Sequence, residues 1–215
     1  MMDHSREQSA LEEFFNSITC GAGLCLSIVA LVILVVSASL HGDPRRVVSL
    51  SIYGASLVFL FTCSTLYHSF RDKKAKHALE ILDHSAIYVL IAGTYTPFAL
   101  VTLKGAWGWS LFGIVWGLAL AGTVFKIFFV KRFKAFLVTL YLLMGWLAVG
   151  ALGPLTQRLA AGGVRWLAAG GLIFTLGVFF YAFKRLPFQH AIWHLFVLMG
   201  CACHFFSILF YVALV

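Results

Sequence analysis

Charged residues are scarce in this chain of 215 residues: only 11% are Asp, Glu, Lys or Arg, whereas 61% are hydrophobic. A water-soluble protein could not cover so much apolar surface with so few charges, which excludes a soluble globular domain. A bilayer accommodates such a chain, because a helix of about 20 apolar residues crosses the hydrocarbon core with its backbone hydrogen bonds satisfied internally. The composition therefore predicts an all-α integral membrane protein.

Other signals are missing as well. The net charge of +8 comes from short clusters of Lys and Arg between apolar runs, with no continuous basic face, so we do not expect nucleic-acid binding. All five Cys lie within apolar runs and suggest no disulfide framework. Charges precede the first long apolar run, which argues against a cleavable signal peptide. Without repeats or long connections, we expect a single membrane domain over residues 1–215.

Seven apolar runs bounded by charges or turn residues predict a bundle of seven transmembrane helices. The predicted helices cover residues 18–40, 47–68, 79–101, 107–129, 135–155, 165–183 and 190–213, after a tail at 1–17. Counted with Lys126 near the end of the fourth helix, eleven of the 16 Lys and Arg residues lie in the tail and around the connections that follow even-numbered helices. The positive-inside rule then places the N-terminus in the cytoplasm and the C-terminus outside.

Polar and ionisable side chains occur inside three of these helices, where their cost favours a functional role. Helix 2 ends with Ser64 and His68, helix 3 begins with Asp83, and helix 7 begins with His190 and His194. The four-residue spacing within each pair places both members on one helix face. Because successive helices alternate in direction, all five side chains are predicted at the cytoplasmic end of the bundle.

Three imidazoles and a carboxylate at one depth are typical of a zinc site, and three protein ligands with an open fourth position are typical of a catalytic one. His68, His190 and His194 are the predicted ligands, and no Cys is expected to close the shell. A bound zinc would activate water and polarise a lipid amide or ester. Asp83 would orient or deprotonate that water, and Ser64 would hydrogen-bond to Asp83, the water or the oxyanion. Spacing alone leaves an equal alternative, in which these histidines lie among lipid headgroups.

The remaining histidines are not expected to bind this metal: His4, His41, His77, His84 and His204. His77 and His84 are predicted at the membrane interface, since His84 points about 100° away from Asp83 on the helix. His204 lies ten residues beyond His194, about 15 Å deeper along the helix. It could line the same cavity but should not share the ion.

The pattern resembles the bacterial hemolysin III family, which belongs with the progestin and adipoQ receptors and the alkaline ceramidases in one membrane-hydrolase superfamily. The resemblance covers nearly the whole chain and is carried by Ser64-x3-His68, Asp83, Gly93-Thr-Tyr-Thr-Pro97 and His190-x3-His194. It implies zinc at the three histidines of these motifs, with the aspartate reaching the metal through water. Pro97 is expected to bend the third helix.

The resemblance also implies a multi-pass protein of the bacterial inner membrane that acts on a lipid-like substrate, with membrane lipids as its surroundings. The short tail departs from the long tails of the animal receptors and puts a hormone response in doubt. Two other functions stay open: a regulator of membrane state with structural zinc, and a pore-forming hemolysin. A bundle of apolar helices does not fit a toxin that inserts from solution, so hemolysis is expected to be indirect. The oligomeric state is not predicted.

Overall fold

The computed structural model describes residues 9–40, 42–129, 133–182 and 186–215. This part of the chain is helical and contains no β-strand. Its α-helices are α1 Ala10–Leu40, α2 Pro44–Ser69, α3 Lys73–Pro97, α4 Gly105–Phe129, α5 Lys134–Trp146, α6 Leu152–Thr156, α7 Ala161–Ala182 and α8 Gln189–Ile208. A 3-10 turn at Leu147–Ala151 joins α5 to α6. α5, this turn and α6 together form one span. With that count, seven segments of the described chain are long and apolar enough to cross a membrane, which confirms the predicted bundle.

The first helix begins earlier than predicted. α1 starts at Ala10, so residues 10–17 are helical and do not form a tail. The cause is a capping box: the Ser9 N–H donates to the Glu12 carboxylate at 2.8 Å, and the Glu12 N–H donates to the Ser9 hydroxyl at 3.2 Å. This extension brings the acidic residues of α1 into the bundle.

Aspartates cap the two following helices. Asp43 accepts a hydrogen bond from the Arg45 N–H at 3.0 Å, ahead of Pro44 in the first turn of α2. Asp72 accepts from the Ala75 N–H at 2.8 Å and starts α3. These two caps end the short connections after α1 and α2, and they determine where α2 and α3 begin.

The third span, which begins with α3, has the largest buried share of the seven spans, and the second span, α2, has the next largest. α2 packs between α1 and α3, α4 packs on α3, and α8 packs between α7 and α1. Small residues permit close contact: a Cβ atom at Gly93 of α3 would lie 2.2 Å from the Ser56 hydroxyl of α2. The two central helices are therefore held near the middle of the bundle.

The third span changes helix type near Pro97. After Pro97, which is buried, the α-helix gives way to a π-helical segment, Phe98–Leu103, whose last residue is also buried. The segment ends at Lys104, which has a φ of 54° and whose N–H donates to the Ala99 carbonyl at 3.1 Å. Irregular backbone at membrane depth is tolerated where protein surrounds it. The bend expected at Pro97 stays a prediction, and the structure shows a π-helical continuation after this residue.

Contacts among charged and polar side chains show that α1, α3 and α8 begin where α2 ends. Glu13 of α1 contacts both His68 of α2 and Lys76 of α3. The neighbouring Glu12 accepts from the Phe188 N–H, just ahead of α8, at 3.4 Å. We call this part of the molecule the histidine end.

Candidate metal centre

Three histidines converge at the histidine end. His68 lies in the last turn of α2, and His190 and His194 lie in the first turns of α8. Their potential ligand atoms all lie within 4.8 Å of one another. The ring centroids form a near-regular triangle, 5.0 Å from His68 to each partner and 4.6 Å between His190 and His194. The structure thus brings together the three histidines that the sequence predicted as metal ligands.

The cluster has the donor chemistry of a metal site. His68 and His194 are buried, and His68 Nε2 is a buried nitrogen without a hydrogen-bond partner among the described residues. A buried polar atom left unpaired costs about 1–3 kcal/mol unless something satisfies it. Nitrogens bound to one zinc ion at 2.0–2.1 Å are at most about 4 Å apart, so small side-chain movements would close this set around an ion.

A carboxylate of α1 forms a hydrogen bond with His68. Glu13 Oε2 accepts from His68 Nδ1 at 2.6 Å, and its other oxygen pairs with the Lys76 ammonium. Sequence reasoning missed Glu13 because it assigned residues 1–17 to a tail. The Ser9-x-x-Glu12 capping signature was the signal that would have placed this carboxylate on a helix.

Two further residues of α1 contact His194. Thr19 Oγ1 lies 3.2 Å and Cys20 Sγ lies 3.3 Å from His194 Nδ1. The Cys20 thiol also donates to Ser64 Oγ at 3.2 Å. No Cys was expected to close the ligand shell, and Cys20 contacts Nδ1 of His194 without belonging to the ligand cluster among the described residues.

Ser64 and Asp83 face the same space as the histidines. Both are buried, and both line a cavity of about 320 Å³ together with His190 and His194. Beyond this polar end the cavity wall is mainly apolar, with residues from α2, α3, α5, α7 and α8 such as Phe61, Leu90, Leu142, Phe174 and Val197. The cavity therefore has the shape and lining to bind a molecule with a polar group at the histidines and an apolar chain in the remaining space.

The remaining histidines lie outside the cluster. His77 is exposed near the start of α3. His84 lines the cavity: its Nδ1 donates to the Glu80 carbonyl at 2.7 Å and lies 3.7 Å from Asp83 Oδ2. His204 lines the cavity far from the cluster, with Nε2 3.3 Å from the Leu167 carbonyl. His4 and His41 fall outside the described residues.

The sequence is similar to known proteins over most of its length. Residues 8–205 match the protein family described as Haemolysin-III related. The chain belongs to this family. It is similar to Hemolysin-3 of Bacillus cereus, with 51% identity over 95% of this chain and 94% of the relative. It is also similar to the Hemolysin-3 homolog of Bacillus subtilis (strain 168), with 54% identity over 93% and 94% of the two chains.

A more distant similarity reaches animals. The human monocyte to macrophage differentiation factor is 33% identical over 181 residues, which are 80% of this chain and 75% of the relative. The haemolysin III membership inferred from the motifs is therefore confirmed, and so is an integral, multi-pass membrane location.

Proposed function

We propose that this haemolysin III protein is a zinc-dependent hydrolase of an amide or ester bond in a membrane lipid. The observation that carries the proposal is the unpartnered, buried Nε2 of His68 within a triangle of imidazoles. The triangle stands at the polar end of an apolar cavity that also exposes Asp83. Metal ligands, an acid–base group and an apolar binding space are thus combined in one place.

His68, His190 and His194 would hold the ion, because imidazole nitrogens suit zinc and three protein ligands are the usual number in its catalytic sites. When bound, zinc supplies a Lewis acid for the scissile carbonyl and activates water for attack. The three ligands come from α2 and α8 only. Because His190 and His194 also line the cavity, substrate and water would reach a bound ion from the cavity side.

Asp83 serves as the proton carrier. Its carboxylate lines the cavity beside His190 and His194, and it accepts the proton of the attacking water. It then returns that proton to the leaving nitrogen or oxygen, so that the acid and the amine or alcohol products balance. Ser64 Oγ already accepts from the Cys20 thiol, which leaves its own hydrogen to donate to Asp83 or to the carbonyl oxygen.

The cavity supports a lipid as the substrate. Trp146, Val149 and Leu152 line it and are also exposed on the membrane-facing surface of the fifth span. The wall of this cavity is therefore continuous with the surface that lipid tails contact. An acyl chain would occupy the apolar part, while its amide or ester group lies at the histidine end.

The proposal includes a location and an explanation for hemolysis. We place the histidine end in the cytoplasm on the basis of the positive-inside bias, and the protein in the bacterial inner membrane on the basis of its similarity to the two Bacillus proteins. The names of the two Bacillus relatives refer to hemolysis. A change in membrane lipids produced by hydrolysis would account for such a phenotype without a pore.

The first test is the zinc content of the detergent-purified protein, measured by mass spectrometry. We expect about one zinc per wild-type chain, and none in His68→Ala or in the His190→Ala/His194→Ala double variant. Absence of metal from folded wild type, even after zinc is supplied, would overturn the proposal.

The second test is turnover. The wild-type protein, reconstituted in vesicles, is screened with acyl amides and acyl esters, with product detected by mass spectrometry. Asp83→Asn should keep its zinc and lose turnover by at least about 100-fold, the usual contribution of a general base. Asp43→Asn, at a helix cap outside the cavity, is the matched control and should retain activity. Full turnover by the Asp83 variant would remove that residue from the mechanism.

A further inference from the structure

α1 contributes no ligand to the histidine cluster, yet it contacts two of the three ligands. Glu13 contacts His68 Nδ1, and Thr19 and Cys20 contact His194 Nδ1. Both contacts engage the same ring nitrogen, Nδ1. Since an imidazole ring has two nitrogens and the neutral form carries one proton, the partner of Nδ1 decides whether Nε2 can bind a metal.

The proton of His68 is located by its partner. An ionised carboxylate only accepts hydrogen bonds, so the 2.6 Å contact with Glu13 Oε2 requires a proton on His68 Nδ1. Neutral His68 then carries a free electron pair on Nε2, the atom left without a partner. The other oxygen of the Glu13 carboxylate pairs with the Lys76 ammonium, so both carboxylate oxygens have partners.

The same reasoning applies to His194. The Thr19 hydroxyl has the Phe15 and Asn16 carbonyls as acceptors, each 2.9 Å from its oxygen, so that oxygen accepts from His194 Nδ1. The Cys20 thiol hydrogen points to Ser64, so its sulfur also acts as an acceptor toward His194. Both partners therefore place the His194 proton on Nδ1 and leave Nε2 for the centre.

We propose that α1 is the orienting element of the metal centre, with Glu13 as a positioning residue for His68 and Thr19 as one for His194. This inference rests on the proposed zinc site and extends it, because it assigns an outer layer of contacts that holds ligands in the metal-binding tautomer. Carboxylate and hydroxyl partners of this kind commonly change metal affinity 10–100-fold when they are removed. α1 thus determines how tightly the ion is held without touching it.

The test is zinc affinity, measured by competition with a chromogenic chelator on the full-length protein in detergent. Glu13→Ala should weaken zinc binding by about 10–100-fold. Glu13→Gln keeps an oxygen that accepts from His68 but loses the charge opposite Lys76, so its loss should be smaller. Glu12→Gln is the matched control: it removes a neighbouring charge and keeps one oxygen for the capping-box bond from the Ser9 N–H. It gives up the long contact with the Phe188 N–H and should bind zinc like wild type.

A second readout separates positioning from a general effect on folding. The protein is loaded with Co²⁺, whose visible absorption reports the geometry of its ligands. Glu13→Ala should change the band positions or intensities at full occupancy, whereas Glu12→Gln should not. Thr19→Val should likewise weaken zinc binding, and Thr19→Ser, which restores the hydroxyl, should recover it. If Glu13→Ala does not fold, Glu13→Gln and the Thr19 pair decide the matter.

The outcomes are distinguishable. Wild type without zinc would overturn the proposed function and this inference together. Wild type with zinc, accompanied by Glu13 and Thr19 variants of unchanged affinity and unchanged Co²⁺ spectra, would overturn only the role of α1. Weakened binding in these variants, with Glu12→Gln unaffected, is the result we expect.

Discussion

The Tyr95 hydroxyl of α3 donates to the Gly145 carbonyl of α5 at a distance of 2.7 Å. The same hydroxyl lies 3.0 Å from the Met144 carbonyl and accepts from the Ala148 N–H at 2.8 Å. This contact coincides with the point where α5 changes to a 3-10 turn at Leu147. A tyrosine of the central span therefore hydrogen-bonds to backbone groups at the point where the helix type changes.

Tyr95→Phe should accordingly destabilise the protein. The substitution removes an acceptor for the Ala148 N–H and a donor to two carbonyls, while the ring is retained. Hydrogen bonds between membrane helices contribute about 0.6 kcal/mol on average and up to about 1.7, so we expect a loss of about 1–2 kcal/mol. Thermal unfolding in detergent measures it. Tyr211→Phe, in the final π-helical segment, is the control, and an equal effect in both variants would contradict the prediction.

Gly93→Ala should separate α2 from α3. A Cβ atom there would lie 2.2 Å from Ser56 Oγ and 2.7 Å from Ser56 Cβ, and overpacking of this kind costs about 1–3 kcal/mol. Ser56→Gly should rescue the variant because it removes both atoms. Gly113→Ala on α4, where nothing lies within 4 Å, should be neutral in the same unfolding assay. Failure of the rescue would show that the clash is not the cause.

His204→Ala should leave zinc binding unchanged. His204 stands in the wall of the cavity against the Leu167 carbonyl and is not a member of the ligand cluster. His194→Ala should abolish binding in the same measurement, because it removes one of three ligands. A His204 variant without metal would place this residue in the centre and contradict the assignment of ligands.

Removal of the metal should lower thermal stability. The ligands come from α2 and α8, so an ion bound only by the folded state links the two helices. At free zinc 100-fold above its dissociation constant, the stabilisation is about 2.7 kcal/mol. A chelator should therefore lower the Tm of wild type but leave that of His68→Ala unchanged. Equal Tm values for wild type with and without zinc would contradict this link.

The reconstituted protein should show no ion conductance in a planar bilayer. Beyond the histidine end, the cavity is lined by side chains such as Leu90, Phe98, Leu103 and Leu155. Such a wall excludes hydrated ions because it offers few groups to replace their water. Discrete single-channel currents from the purified protein would favour the alternative function, a pore-forming hemolysin.

The sequence predicted the parts of this fold that depend on hydropathy and on helix period. The seven spans and the convergence of His68, His190 and His194 followed from apolar runs, alternating helix direction and four-residue spacing. The change at Pro97 was located but its π-helical form was not, since helix type there depends on the packing around Phe98–Leu103.

The role of α1 was not predicted, for a physical reason. In its first half the buried residues are small or polar and follow a helical spacing: Asn16, Cys20, Gly23 and Ser27. The apolar residues between them are mostly exposed, as expected for a helix with a lipid-facing side. A hydropathy average cannot reveal such an inward face, and the charges of Glu12 and Glu13 were read as evidence for a tail. The capping box and the small-residue spacing were the usable signals.

The histidine end joins the two extremes of the chain, since Glu13 and Thr19 come from the first helix and His190 and His194 from the last. During synthesis, the early helices enter the membrane long before α8 leaves the ribosome. The centre therefore cannot assemble until α8 has been inserted. Metal capture would then mark a protein in which α8 has joined the bundle, and any truncated product that lacks α8 would be unable to acquire zinc or activity while still in the membrane.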